Sequence, residues 1–441
     1  MIRSVRRLVC AAAACAAAMV LAVAVAGTSP PDAHASQRNV PYRVAVHGAV
    51  RRGLPLAEIR AMARRELLGQ LAGGSGSYLA GVAAVSRSRA FAAGSWCPKD
   101  CATNAVAIHA LIARWNGRAW SRVASPSPGS LAALLSVAVV SARRAWAVGE
   151  YCAGRCGGTS VFRTLIVGWD GSRWSRVPSA DPSRVVSSLS AVSVLSARSA
   201  WAVGEYVTRR FTFQTLILHW NGARWSRVAS PGRPDGSWLT GVDAISAADV
   251  WAVGYQATGP STQAPLVEHW NGRAWQVFPG RYPRTSFSAL SAVAGASPSS
   301  VWAVGTYCVA KCAQARPVSR TLVMHWNGRR WSVIPSPSPD RHGANELNAV
   351  AIAAGGGVWA AGESCAAPCA QLGHASHTLI LRWNGRAWTR SVTRDAGRHQ
   401  SLLYGIAAAS PASAWAVGYA DGKVLGLRWN GRQWSGGTGL R

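Results

Sequence analysis

Eight of the ten cysteines stand in four C-x-x-x-C pairs: Cys97/Cys101, Cys152/Cys156, Cys308/Cys312 and Cys365/Cys369. Thiols at that spacing can close a local disulfide or offer thiolates to zinc. Each pair begins three residues after the glycine of a W-A-V-G-like tetrapeptide. The residues just after that glycine, in every copy of the tetrapeptide, form a second chemical set: Trp96, Glu150, Tyr151, Glu205, Tyr206, Tyr255, Tyr307, Glu363 and Tyr419. Carboxylates and aromatic rings gathered in one place can grip a sugar or a cationic group. Asp243 joins them as the single acid in a column of small residues. His219, His269 and His325 each precede the tryptophan of a W-N-G motif. One histidine per repeat is poorly placed for a shared metal, so they are expected to be structural, and neither metal nor cofactor is expected. A nucleophile elbow, an H-E-x-x-H helix and a phosphate-binding loop are all missing from the sequence, so no catalytic residue is assigned. Paired carboxylates for glycoside hydrolysis stay open among Glu150, Glu205, Asp243 and Glu363.

These residues sit in a unit that occurs seven times. The tetrapeptide starts at Phe91, Trp146, Trp201, Trp251, Trp302, Trp359 and Trp415. A W-[ND]-G-x-x-W motif starts at Trp115, Trp169, Trp220, Trp270, Trp326, Trp383 and Trp429. Each unit reads as four short strands, A to D, rich in Val, Ile, Thr and Trp and bounded by Gly, Pro, Ser and Asn. Seven such units at a period of 50–57 residues predict an all-β fold, a seven-bladed β-propeller with four antiparallel strands per blade. A leucine opens strand A 12 residues before every tetrapeptide. The A–B and C–D connections are therefore fixed in length, while B–C and D–A vary and share one face. Binding residues belong on that variable face. Small residues two places after the leucine place strand A at the crowded axis. Asn-Gly is expected to make a two-residue hairpin turn, which would set Trp220 opposite Ala223 and diagonal to Trp225. The paired tryptophans are then inter-blade packing.

The repeat L-x-x-V…WAVG…TLI-x-HWNG-x-x-W…SP resembles that of secreted bacterial β-propeller proteins of actinobacterial type, and is distantly similar to kelch and Asp-box propellers. The resemblance covers roughly residues 78–441 and implies the fold and export. Only Trp169-Asp170-Gly171 keeps the aspartate of an Asp box; the other six units have Asn.

The amino terminus reads as a signal peptide over residues 1–35: basic MIRSVRR, an apolar Leu8–Gly27 run, and Ala33-His34-Ala35 before the cleavage point. The mature protein would be secreted, or membrane-tethered if the signal is not cleaved. An even cysteine count in an exported chain favours four disulfides. All four pairs lie in the units whose B–C connection is longest, as staples of long loops would. Residues 36–77 form an extension with a candidate strand at 40–50, a helix over 56–72 and a Gly/Ser linker; residues 78–441 are the propeller.

Charge is strongly one-sided, with 47 basic against 17 acidic residues and a formal net of +30. Arginine-rich coding bias accounts for such a composition, yet the charge still acts on partners. The turn arginines Arg118, Arg173, Arg224, Arg273, Arg330, Arg386 and Arg432 would ring the face opposite the variable loops. Three functions fit: a non-enzymatic, monomeric binding module at the cell surface, a carbohydrate-active enzyme using acids near the axis, or a scaffold held to anionic wall polymer. The partners expected are surface polysaccharide, anionic wall polymer or protein, and not nucleic acid.

Overall fold

The Trp-Ala-Val-Gly copies are the second strands of seven four-stranded antiparallel sheets, and each sheet uses four consecutive strands in the order A-B-C-D. The computed structural model describes residues 76–98, 107–153, 161–210, 212–233, 236–259, 262–310, 312, 318–366 and 376–440. The signal segment and the expected strand and helix of the extension lie outside the described residues. The sheets cover residues 78–123, 132–176, 187–228, 237–277, 288–333, 344–391 and 401–438. These are the seven blades of a β-propeller.

In blade 3 the strands are A (Ser187–Ser196), B (Ser199–Val207), C (Phe213–Trp220) and D (Trp225–Val228). Strand A carries a bulge beside its leucine: Leu189 pairs with Gly204 and Ala191 with Val203. This explains the tetrapeptide glycine. A Cβ at Gly204 would collide with the Ser188 carbonyl oxygen, and the equivalent clash recurs at the glycine of every blade. Only glycine permits that approach.

The C–D connection differs from the expected two-residue turn. Trp220 pairs directly with Trp225, so residues 221–224 form the turn. Asn221 Oδ1 accepts the N–H groups of Ala223 and Arg224, both at 3.0 Å. The asparagine side chain thus reinforces the one backbone bond across the turn, from the Asn221 N–H to the Arg224 carbonyl at 3.3 Å. Gly222 follows at φ +97°, a left-handed conformation that suits glycine. Asp170 plays the same part in blade 2, accepting from the backbone of Ser172 and Arg173 at 2.8 Å each. Those backbone bonds, Arg173 first, pull its carboxyl down to about 2. The lone Asp-box aspartate is a turn residue.

Blades pack through their tryptophans. The tetrapeptide Trp146 of blade 2 meets both motif tryptophans of blade 3, with ring centroids 4.8 Å from Trp220 and 5.2 Å from Trp225. The same three-ring cluster recurs from Phe91, Trp201, Trp251, Trp302 and Trp359 to the blade that follows. Each pair adds about 0.5–1.5 kcal/mol beyond the area it buries. His219, His269 and His325 stack on Trp201, Trp251 and Trp302 at 4.3, 4.2 and 4.2 Å. Their Nε2 atoms meet Ser199, Asp249 and Ser300. Among the described residues no cluster of His, Cys, Asp or Glu could hold a metal ion.

The ring closes without exchanging a strand. Blade 7 ends on its own strand D (Trp434–Thr438). Trp415, Val417 and Val424 of blade 7 share a core with Leu79, Leu111 and Trp120 of blade 1. At the axis a Cβ on Gly405 would lie 3.0 Å from the Gly81 Cα. The small residues of strand A are therefore demanded by the next blade's backbone.

Candidate functional site

The bulges push one residue of each strand A toward the axis. Together with the strand B residue just after the glycine, they enclose a cavity of about 270 Å³ in the middle of the ring. Its lining includes Tyr78, Glu150, Ser190, Glu205, Tyr255, Asn348 and Tyr404. The B–C and D–A connections open at this end. Several are joined by single parallel bridges, Phe162 with Val186 and Gln263 with Phe287 among them, so the variable loops form a braced rim.

The structure divides the candidate residues into two rows. Glu150, Glu205, Tyr255, Glu363 and Tyr419 follow the glycine directly and hold equivalent register positions. All five are buried, and the first three line the cavity. Trp96, Tyr151, Tyr206 and Tyr307 stand one residue later, on the opposite face of their sheets. Three of them lie under an arginine of their own strand D. Arg122 sits 3.5 Å from the Trp96 centroid, Arg176 4.5 Å from Tyr151, and Arg227 4.6 Å from Tyr206. Arg227 also donates to the Tyr206 hydroxyl at 2.7 Å. Tyr307 packs instead against the core between blades 4 and 5.

Asp243 does not join either row. It pairs with Trp251, while the rim position beside the leucine pairs with Tyr255. It lies deeper, accepting from Ser193 Oγ at 3.0 Å and from the Gly295 N–H at 2.8 Å. Burial raises its carboxyl above the usual range. It ties blades 3, 4 and 5 together near the axis.

Glu346 belongs to the rim and was missed from sequence. It pairs directly with Glu363, as Ala133 pairs with Glu150 and Ser188 with Glu205. Burial pushes the Glu346 carboxyl up to about 7. Residues directly opposite on neighbouring antiparallel strands stand roughly 5 Å apart at Cβ. The signal was available: the fixed A–B spacing sets the residue before the leucine against the residue after the glycine, once the bulge is included. Tyr78 and Tyr404 bring their rings to 5.8 Å across the closure between blades 1 and 7. Burial raises the Tyr78 phenol; the side-chain bond with Ser95 opposes this, and the Glu150 charge adds to it.

The cysteine staples flank this end. Cys308 and Cys312 are joined, with Cα atoms 5.7 Å apart. Cys97, Cys152 and Cys365 are also disulfide-bonded; their expected partners Cys101, Cys156 and Cys369 lie outside the described residues.

The chain matches no protein-family model and no curated protein. Among solved structures it is similar to YCF48 bound to D1 peptide, at 15% identity and TM-score 0.47, over 81% of this chain and 92% of that one. The extracellular domain of the putative hybrid two component system BT4673 from B. thetaiotaomicron is similar at 8% identity and TM-score 0.45, over 78% and 37%. An ulvan lyase of polysaccharide lyase family PL25 is similar at 12% and 0.39, over 83% and 85%. Similarity at this level concerns the fold alone.

Proposed function

We propose that the protein is an exported, non-enzymatic binding module of the cell surface, whose ligand enters the axial cavity from the B–C/D–A face. The observation that supports this is where the acids stand. Of the five glutamates among the described residues, Glu150, Glu205 and Glu363 hold equivalent strand B positions after the glycine, and Glu346 is the strand A partner of Glu363. In so basic a chain this places two of these carboxyls, Glu150 and Glu205, in one cavity beside Tyr78, Tyr255 and Tyr404. A site of that chemistry takes a cationic or hydroxylated group, and 270 Å³ suits one sugar unit or one basic side chain presented by a polymer or protein. The test is a glycan and basic-peptide array probed with the full chain. Glu205→Gln should weaken capture of the recognised ligand at least tenfold, about 1.4 kcal/mol. Unchanged capture after Glu205→Gln and Glu150→Gln together would remove the mouth from consideration.

A second reading draws on the Glu346/Glu363 pair. A carboxyl raised to about 7 beside another carboxyl is the arrangement a glycosidase uses for its acid. Sugar release that disappears in Glu346→Gln would move the protein to that class. Binding without any product supports the first reading.

A further inference from the structure

We propose that the opposite face, built by the A–B and C–D turns, docks a phosphodiester polymer of the cell envelope. The inference uses other residues and the other end of the axis, and it rests on the proposed function only for export. Every residue of these turns falls among the described residues. Each blade contributes at least one exposed arginine from its C–D turn, and the A–B turns add Arg87, Arg143, Arg144 and Arg198. Coding bias would scatter arginine over both faces, and arginines do occur on both. The acids decide the difference. Asp181, Asp340, Asp395 and Asp421 lie in the mouth-side connections, alongside the rim glutamates. The turn face has only Asp170 and Asp249 among the described residues. Asp170 is paired with Arg173 at 3.6 Å and Asp249 with His269 at 2.7 Å. Among the described residues, the turn-face arginines therefore face few acids, whereas the mouth-side connections mix the two signs.

The occupant follows from the shape of that face. Guanidinium groups bind phosphates through bidentate bonds, and these are carried on short hairpins. A membrane-docking face would add apolar side chains to insert between headgroups. Of the exposed large apolar side chains among the described residues, only Leu195 stands near these turns. Hairpins this short offer no helix or ribbon to enter the groove of a nucleic-acid duplex. A flexible, singly stranded polyanion remains.

The experiment uses the full chain, a synthetic poly(glycerol phosphate) and vesicles containing phosphatidylglycerol, each titrated at several salt concentrations. Arg144→Glu, Arg198→Glu and Arg224→Glu combined should weaken polymer binding at least tenfold and flatten the slope of log K against log salt by about 2. The Arg→Gln triple should give a smaller loss in the same direction, and it carries the test if the Glu triple does not fold. The mouth-face triple Arg233→Glu, Arg281→Glu and Arg284→Glu should retain most of the affinity. Equal loss in the mouth-face variant, no loss in the turn-face variants, or binding to vesicles without binding to polymer would each overturn the proposal.

Discussion

Glu268 stands where the other blades have Ala113, Val167, Leu218, Met324, Leu381 or Leu427, two residues before the motif tryptophan. It is fully buried between blades 3 and 4. Ser230 Oγ lies 3.0 and 2.9 Å from its two oxygens. Burial, against that hydrogen bond, raises its carboxyl from 4.5 to about 7. The folded protein therefore holds a proton that the unfolded chain has released between those two values. The stability this contributes is present below pH 4.5 and is lost as pH rises through about 7. The loss is of order 3 kcal/mol. Glu268→Gln should match the parent in thermal unfolding near pH 4.5 and exceed it by several degrees at pH 8; a constant difference across that range would contradict the assignment. The repeats mark this residue as an acid in an apolar column, but its cost exists only once blade 3 covers it. The rim glutamates are the contrast. Glu150, Glu205 and Glu363 were legible from their place after the glycine, whereas Glu346 needed the bulge to bring it opposite Glu363.

The four-residue C–D turn is the element in which a side chain supplements a single backbone bond. Asn221→Ala removes both bonds to the turn N–H groups and should cost about 1 kcal/mol, read from denaturant unfolding. Asn221→Asp should be nearly neutral at pH 7, since Asp170 does the same work in blade 2. An Ala variant as stable as the parent would show that Gly222 alone sets the turn. Strand identity and order were readable from the alternation and the punctuation by Gly, Ser and Asn. Pairing across the turn was not, because Asn-Gly supports both a two-residue and a four-residue connection. The choice was made by the tryptophans: direct opposition of Trp220 and Trp225 lets both meet Trp146 of the preceding blade. Within strand B, the step from Glu205 to Tyr206 changes the face of the sheet. One residue therefore separates a cavity-lining carboxylate from a ring covered by Arg227.

At the scale of the molecule the ring holds by face-to-face packing at every joint, the last included. Gly405 and Gly81 are the narrowest point of that last joint. Gly405→Val should force blades 1 and 7 apart and destabilise the protein by about 2 kcal/mol or more, with exposure of Tyr78 and Tyr404 detectable by ring-specific labelling. Val accommodated with no change in unfolding would mean that the closure is looser than this packing requires. The two ends of the ring are chemically unlike. Acids and tyrosines gather at the mouth, and arginines dominate the turn face, so the two proposed sites lie at opposite ends of the axis.

Sequence by itself determined the number of blades, the four strands in each, the fixed and variable faces and the packing role of the tryptophans. All of these follow from local periodicity and spacing, which seven copies repeat until chance is excluded. Tertiary structure decided which side chains share a space. It placed Asp243 in an inter-blade tie, turned Trp96, Tyr151 and Tyr206 away from the cavity, and brought Glu346 to Glu363. Those outcomes depend on a bulge that shifts register by one residue and on the neighbouring blade that covers each face, and neither is written in any single repeat.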